Sequence, residues 1–253
     1  MTDRSIFITG AGSGIGAATG RAFAAKGWRV GLADRNRAAV TALADEIGPR
    51  AQPFAVDVLD RAQIRDALGT FAGQGALSVL FNSAGLLDMR PFADAPLDRL
   101  DAMIDVNVKG VVACTYEALA HLAGPDARII TMSSAAAIYG VPDLAVYSAS
   151  KFAVRGLTEA LNVELEARGI WVCDVMVGYV DTPMLSQAET TAKSVGLAGI
   201  HVTPEMVADT VWQATQSRRV HWFVRDEDRG AFEHFDATPV EERRAIIAGA
   251  TGY

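Results

Sequence analysis

The feature that most constrains the fold is a regular alternation of short apolar runs with longer helical patterns. Seven runs are rich in β-branched and aromatic residues: SIFIT, WRVGLA, AQPFAVD, LSVLFN, ARIITMS, IWVCDVMV and VHWFV. Strands that alternate with helices form parallel sheets, and strands that are apolar on both faces are covered by helices on both sides. The sequence therefore predicts an α/β fold with a doubly wound, parallel, seven-stranded sheet.

Length and composition narrow the class of protein. No linker-like stretch rich in Gly, Ser or Pro divides the 253 residues, so residues 1–253 are expected to form a single domain. A net charge of −7 argues against nucleic acid as a partner. No signal peptide and no apolar stretch of about 18 residues is evident, so we expect no membrane association. Cys114 and Cys173 lie in apolar runs, which fits reduced thiols and a cytoplasmic protein.

Two helical segments, roughly 98–122 and 147–168, are apolar on more than one face. The first carries apolar residues almost all round: Met103, Ile104, Val106, Val108, Val111, Val112 and Tyr116. A helix of this kind needs cover on two sides, and the sheet supplies only one. We therefore expect a second copy of the chain to cover the other side.

A glycine-rich turn, TGAGSGIG, joins the first strand to the first helix. Glycines at such a turn let the backbone approach a pyrophosphate, which the amide groups of the helix N-terminus then bind. The spacing is G-x-x-x-G-x-G rather than the common G-x-G-x-x-G, and a plain tight turn is the alternative.

Asp34 ends the second strand, 18 residues after Gly16. A carboxylate there accepts hydrogen bonds from an adenosine ribose and repels a 2′-phosphate, which favours NAD over NADP. The alternatives are a solvated aspartate at a strand end, and an NADP site in which Arg35 binds the 2′-phosphate.

Ser134, Tyr147 and Lys151 occur within one short segment, SSAAAIYGVPDLAVYSASK. The Tyr–Lys spacing of four places both side chains on one face of a helix. Lys151 together with a cationic nicotinamide would lower the pKa of Tyr147 and allow it to exchange a proton with substrate. Taken alone, Y-x-x-x-K is more often a surface pair on an amphipathic helix.

Several motifs in this order match one family. They are TGAGSGIG, Asp57 in AVDVLD, NSAG from Asn82 to Gly85, Asn107 in DVNVKG, Ser134 and YSASK. The chain resembles the classical short-chain dehydrogenases/reductases over residues 5 to about 185. The resemblance implies a Rossmann-like fold, a nicotinamide cofactor, commonly a homotetramer, and a catalytic tetrad of Asn107, Ser134, Tyr147 and Lys151.

The resemblance also implies individual roles. Asn107 would anchor a water that relays protons to Lys151, although a buried Asn that bonds helix backbone is an equally simple role. Ser134 would bind the substrate oxygen, whereas Ser133 would point into the sheet. Residues expected to bind the cofactor are Gly10, Gly12, Ser13, Gly14, Ile15, Gly16, Asp34, Arg35, Asp57, Val58, Asn82, Ala84, Gly85, Tyr147, Lys151, Gly178, Val180 and Thr182.

Two regions depart from the family pattern. Val177 stands where the family usually has proline, so we expect looser closure on the cofactor. The tail, about 226–253, shows no resemblance, and it would cross a neighbour, cover the substrate site or fray. Within it, Thr238 as N-cap, Pro239 at the first helical position and Glu241 at the third predict a capped helix.

The expected substrate pocket is apolar. Its predicted lining is Leu86, Leu87, Met89, Ala135, Ala136, Tyr139, Tyr179, Met184 and Leu185. Such a lining suits a cyclic or medium-length apolar alcohol or ketone. The segment of about 185–203 is expected to be a mobile lid, and His201 within it is a candidate substrate contact. No histidine has metal-ligand spacing, so no metal is expected.

The sequence therefore predicts an NAD(H)-dependent oxidoreductase that interconverts a secondary alcohol and a ketone. Two alternatives remain at this point. One is an NADPH-dependent ketoreductase, if Arg35 outweighs Asp34. The other is a non-catalytic protein that senses NAD(H), although a sensor would have no need of Tyr147 and Ser134 together.

Overall fold

The structure, a computed structural model, describes residues 4–124 and 127–253. In these residues seven parallel strands form one sheet in the order β3-β2-β1-β4-β5-β6-β7. The strands are β1 Ser5–Thr9, β2 Arg29–Asp34, β3 Ala51–Ala55, β4 Val79–Asn82, β5 Arg128–Met132, β6 Trp171–Met176 and β7 His221–Phe223. Every predicted run contains a strand, so the predicted doubly wound parallel sheet is confirmed.

Helices connect the strands and cover both faces of the sheet. They are α1 Gly14–Ala25, α2 Arg37–Ile47, α3 Arg61–Ala72, α4 Leu97–Ile104, α5 Val111–Ala118, α6 Ala145–Glu164, α7 Pro183–Ser186, α8 Lys193–Ala198, α9 Pro204–Ala214, α10 Asp226–Ala237 and α11 Val240–Thr251. Side-chain caps fix several starts, as where Asn36 accepts from Ala39 N and Asp60 from Ala62 N. No helix in the described part of the chain is both long enough and apolar enough to cross a bilayer.

Each face of the sheet has its own apolar core. One core includes an aromatic cluster in which Phe23, Trp28 and Trp212 meet edge to face, with centroids 5.1–5.8 Å apart. The opposite core is centred on Phe7 and Phe71. Because both faces are buried, the strands are apolar without alternation, as the sequence indicated.

The order of the strands creates a crevice between β1 and β4. The chain winds outward to β3 on one side of β1, and then returns to β4 on the other side. Ligands of open parallel sheets bind at such a switch point, beyond the carboxyl ends of the strands. Thr9 holds the two loops there together, because its Oγ1 accepts hydrogen bonds from Ser83 N and Ala84 N at 3.2 and 3.3 Å.

The two long helical segments differ slightly from their predicted bounds. The first spans 97–118 and contains a π-helical segment, Asp105–Gly110, between α4 and α5. The second is α6, followed by a 3₁₀ turn at 166–168. Each leaves large apolar side chains uncovered in the single chain: Val112, Tyr116, Phe152 and Val163.

The tail forms two helices, and the predicted cap within it is wrong. Thr238 follows the end of α10, where its Oγ1 donates to His234 O at 2.8 Å. Because that hydroxyl is engaged with the preceding helix, and Pro239 is extended, α11 begins only at Val240 without a side-chain cap. In the single chain the tail lies against the cavity that contains Tyr147, as described below.

Candidate active site

A cavity of about 480 Å³, here called the glycine trough, follows the carboxyl ends of β1 to β4. It contains most of the residues predicted to bind a cofactor: Gly10, Gly12, Ser13, Gly14, Ile15, Gly16, Asp34, Arg35, Asp57, Val58, Ala84, Gly85 and Thr182. A second cavity adjoins the trough, and it is lined by four further residues that were predicted to bind the cofactor: Tyr147, Lys151, Gly178 and Val180. Asn82 lines neither cavity. The fold therefore brings the separated motifs into one continuous site.

The glycine turn is shaped so that only glycine fits at its critical positions. A Cβ on Gly16 would lie 2.3 Å from the carbonyl oxygen of Gly10, and a Cβ on Gly10 would lie 2.7 Å from the backbone of Ala84. Gly10 also has φ of +68°. Ser13 makes no side-chain cap at the start of α1, which leaves the helix N-terminal amides available to an anion. The trough thus fits a dinucleotide pyrophosphate.

Asp34 is held in a fixed orientation at the side of the glycine trough. Its Oδ2 accepts from Gly12 N at 3.0 Å, and its Oδ1 accepts from Asn36 N at 2.8 Å. Arg35 is exposed and forms no ion pair with any residue that the structure describes. The carboxylate is therefore the more firmly placed of the two charges that would select a ribose.

Asn82 does not line either cavity. It is the last residue of β4 and is buried, and its Nδ2 donates to Thr115 Oγ1 at 3.1 Å and Thr131 Oγ1 at 3.3 Å. Its side chain thus joins β4 to α5 and β5, beneath the trough. The pleat turns the Asn82 side chain towards α5, so this residue adds no side chain to the wall of the trough, and a contact with the cofactor stays a prediction.

A second cavity of about 330 Å³, here called the tyrosine pocket, opens beside the glycine trough and shares Gly85 and Thr182 with it. It contains Ser134, Tyr147 and Lys151 together with eight of the nine predicted apolar lining residues. The exception is Met89, which is 1% exposed and packs in the cluster beneath the pocket.

Three of the four predicted catalytic side chains, Ser134, Tyr147 and Lys151, converge in this pocket. Tyr147 and Lys151 lie one turn apart on α6, and Lys151 Nζ is 5.5 Å from the centroid of the Tyr147 ring. Lys151 Nζ donates to Met132 O, at the end of β5, at 2.8 Å. Ser134 lies close enough to the Tyr147 hydroxyl to lower its pKa. Ser133 also borders this pocket, and its Oγ is buried.

Burial opposes charge on both titratable groups of the pocket. It raises the pKa of Tyr147 to about 12, against the hydrogen bond to Ser134, which lowers it. It lowers the pKa of Lys151 to about 8, against the attraction of the Asp174 carboxylate. From the sequence we expect Lys151 and a cationic nicotinamide together to lower the pKa of Tyr147. In the chain without a bound cation, the pKa of Tyr147 is raised instead.

Asn107 lies in the π-helical segment and is fully buried. Its Oδ1 accepts from Leu86 N at 2.7 Å, and its Nδ2 donates to Leu86 O at 3.0 Å and Ser150 Oγ at 3.1 Å. The side chain therefore fixes the loop after β4 against α6, next to Lys151. Its backbone partner is thus in a loop rather than in a helix as the sequence allowed, and the water relay stays a prediction.

The turn after β6, where Val177 replaces the usual proline, is held by one backbone hydrogen bond and by burial of the Val177 side chain. The carbonyl of Val177 accepts from Ala135 N at 2.8 Å, and its side chain is 4% exposed. Beyond it, Val180 pairs with Val202, and Thr182 lies against Gly14. The turn thus spans the space between the tyrosine pocket and the glycine trough.

The tail supplies part of the pocket wall that sequence reasoning missed. Its contributions are Arg225, Glu227, Asp228, Ala231 and Ala250. One feature of the sequence could have predicted this contribution. Residues that follow a parallel strand lie at the edge of the sheet where ligands bind, and residues 225–228 follow β7. His201, by contrast, is exposed and lies against Gly199 outside the pocket lining, so the structure gives it no substrate contact.

Comparison with known proteins agrees with this geometry. The profile of the short chain dehydrogenase family matches residues 4–193. A 2,5-dichloro-2,5-cyclohexadiene-1,4-diol dehydrogenase from Sphingobium indicum is 34% identical over 192 residues, covering 74% of this chain and 77% of the relative. A 3-oxoacyl-(acyl-carrier-protein) reductase from Thermotoga maritima is 34% identical over 218 residues, covering 81% and 87%.

A solved structure extends the likeness to three dimensions. The 3-ketoacyl-(acyl-carrier-protein) reductase from Brucella melitensis, crystallised with NADH, superimposes with a TM-score of 0.79 at 26% identity. The match covers 88% of this chain and 97% of that one. The profile match spans well over half of the sequence and includes the glycine turn, Ser134, Tyr147 and Lys151. The chain therefore belongs to the short-chain dehydrogenase/reductase family and is an oxidoreductase acting on CH–OH groups with NAD(P) as acceptor.

Proposed function

We propose that the protein interconverts a secondary alcohol and a ketone with NAD(H), on a cyclic or medium-length and largely apolar substrate. The observation that carries this proposal is the convergence of Ser134, Tyr147 and Lys151 in an apolar pocket that opens onto the glycine trough. A proton-transferring hydroxyl beside a dinucleotide site is the arrangement that such a reaction needs.

The proposed roles follow from the contacts. Tyr147 exchanges the proton of the substrate oxygen, and Ser134 holds that oxygen by a hydrogen bond. Lys151, tethered to Met132 O, places its ammonium beside the Tyr147 ring and favours the phenolate. Asn107 keeps the Lys151 turn of α6 in place through Ser150, and we propose that a water near Asn107 connects Lys151 with solvent. A nicotinamide bound in the trough accepts or supplies the hydride.

NAD(H) is proposed as the cofactor because the Asp34 carboxylate is hydrogen bonded in place on the ribose side of the trough. The likeness to a reductase crystallised with NADH supports this choice. NADP(H) use through Arg35, with ketone reduction as the main direction, is the second candidate, and the relationship to a 3-oxoacyl reductase supports the direction of reduction. A non-catalytic sensor of NAD(H) is the third, and the complete tetrad argues against it.

The apolar lining favours the proposed substrate class, and the relative that acts on a cyclohexadiene diol supports a ring. We further propose that the segment 185–203, which includes α8, is a mobile lid over cofactor and substrate. The uncovered apolar faces of α5 and α6 are proposed to pack against other copies in a homotetramer or dimer. The buried free thiols of Cys114 and Cys173 fit a reducing, cytoplasmic setting.

The first prediction concerns cofactor choice. The unaltered protein should bind NAD+ more tightly than NADP+ because Asp34 repels a 2′-phosphate, and Asp34→Ala should narrow or reverse that preference. Titration of intrinsic fluorescence with each cofactor measures it. Asp45→Ala, which removes an exposed carboxylate from α2, is the matched control and should change nothing. Tighter binding of NADP+ by the unaltered protein would assign the ribose site to Arg35.

The second prediction concerns the proton-transferring hydroxyl. Tyr147→Phe keeps the ring but removes the hydroxyl, so turnover should fall by about 100- to 10,000-fold while NAD+ affinity stays nearly unchanged. Lys151→Ala should weaken both turnover and NAD+ binding. Tyr116→Phe removes an exposed hydroxyl on α5 and serves as the control. Retention of more than about a tenth of the activity by Tyr147→Phe would refute the assignment.

The third prediction concerns pH. Alcohol oxidation at saturating NAD+ requires the Tyr147 phenolate, so its rate should rise with pH. The pKa of about 12 in the free protein should fall below the ordinary value of about 10 when NAD+ brings its positive charge. Ketone reduction requires protonated Tyr147, so its rate should fall as pH rises. That fall should occur at a higher pH than the rise in oxidation, because NADH lacks the positive ring charge of NAD+. An oxidation rate that decreases with pH would contradict this account.

The fourth prediction concerns assembly. Light scattering should give about four times, or twice, the chain mass of 26.8 kDa. Replacing Val112 and Tyr116 together by Asp places two charges on the uncovered face of α5 and should lower that mass. Val240→Asp changes an equally exposed residue on α11 and should not. An active monomer at micromolar concentration would show that these faces need no cover.

A further inference from the structure

The end of the tyrosine pocket formed by the tail carries an ion pair. Arg225 Nη2 donates to Asp228 Oδ1 at 3.0 Å, and Arg225 Nε donates to Asp228 Oδ2 at 3.4 Å. The side chains are 26% and 8% exposed, respectively. Both line the pocket beside Gly178, on which a Cβ would lie 3.7 Å from Asp228 Oδ1 and 3.8 Å from Arg225 Nη2.

This pair has hydrogen-bonding capacity to spare. A guanidinium has five N–H donors, of which two are used towards Asp228, and each carboxylate oxygen has room for a further bond. A largely buried ion pair is costly to desolvate and is weak evidence for a purely stabilising role. The pair therefore offers both donors and acceptors to a molecule in an otherwise apolar cavity.

The surrounding charges select the kind of group that fits. Glu227 lines the same end of the pocket, so two carboxylates face one guanidinium. That balance disfavours a carboxylate or phosphate on the substrate, because Asp228 and Glu227 repel it. A neutral hydroxyl, which both donates and accepts, matches the pair. Nearby Tyr139 stays protonated, because burial and the Asp228 charge raise its pKa, and it is a further donor.

We propose that Arg225 and Asp228 bind a second hydroxyl of the substrate, at the end of the molecule away from the reacting carbon. The inference rests on the proposed function, and it narrows the substrate class to apolar-bodied alcohols or ketones that carry an additional neutral hydroxyl. Asp228 and Arg225 are then specificity-determining residues supplied by α10 and the residue before it, outside the part of the chain that matches the family profile.

The alternative is that the pair only stabilises the start of α10. Arg225 precedes the helix and Asp228 is in its first turn, where acidic residues are favoured. A matched pair on the same helix separates the two ideas. Asp226 and Arg229 also interact, at 3.6 Å, but Asp226 is 93% exposed and neither residue lines the pocket.

The test measures binding without turnover. The protein is saturated with NADH, which cannot oxidise an alcohol, and calorimetry compares trans-1,4-cyclohexanediol with cyclohexanol. The unaltered protein should bind the diol about tenfold more tightly, the size expected for one added hydrogen bond to a charged group. Asp228→Asn should reduce the preference to about twofold or less, whereas Asp226→Asn should leave it intact. The anion trans-4-hydroxycyclohexanecarboxylate should bind more weakly than cyclohexanol.

Each outcome decides one question. Equal affinity of the unaltered protein for the diol and for cyclohexanol overturns the inference, and this comparison needs no variant to fold. A preference that survives in Asp228→Asn also overturns it and leaves the pair a helix-end contact. Oxidation of the same two alcohols with NAD+ tests the proposed function separately. A preference for the diol that depends on Asp228, without oxidation of either alcohol, would support the binding site and refute the catalytic proposal.

Discussion

All strands of the sheet point in the same direction, and the site depends on this constraint. The carboxyl end of every strand lies at one edge, so short loops after β1, β4, β5, β6 and β7 meet there although they are far apart in sequence. The glycine turn, Ser134, Gly178 and Arg225 each follow a different strand. Tyr147 and Lys151 come instead from α6, and Lys151 ties that helix to the end of β5 through Met132 O.

Tyr147 and Lys151 are both buried from water, and this burial controls their ionisation. Burial alone makes both a Tyr147 phenolate and a Lys151 ammonium unfavourable, and a rise of about two pKa units on Tyr147 corresponds to about 3 kcal/mol. A positive charge on a bound cofactor would stabilise the Tyr147 phenolate, because it would act over a short distance in a medium of low dielectric constant. Under the proposed function, Tyr147 therefore stays neutral until the oxidised cofactor binds.

Sequence patterns predicted the framework because its causes are local. Continuous apolar runs produced strands, and the glycine turn was recognisable because its backbone leaves no space for a Cβ at Gly16. The four-residue spacing of Tyr147 and Lys151 likewise holds on α6. These features depend on residues that are close together in the chain, so hydrophobic periodicity and motif spacing predict them.

The features that the sequence did not predict come from contacts that only the assembled fold decides. Asn82 matches a motif, but the pleat directs it to Thr115 and Thr131. Met89 was counted as lining but lies beneath the pocket. Thr238 resembled an N-cap, although its hydroxyl binds the preceding helix. The charged wall from Arg225 to Asp228 was missed because the tail has no family pattern, and its approach to Gly178 joins residues about 50 positions apart.

The most direct test of the central claim is the ionisation of Tyr147 itself. Ultraviolet difference absorption, with Tyr147→Phe subtracted from the unaltered protein, isolates the titration of this one phenol. We expect ionisation near pH 12 in the free protein and a midpoint below about 10 once NAD+ is saturating. The same midpoint with and without NAD+ would contradict the claim that burial and the cofactor charge together control the acid/base group.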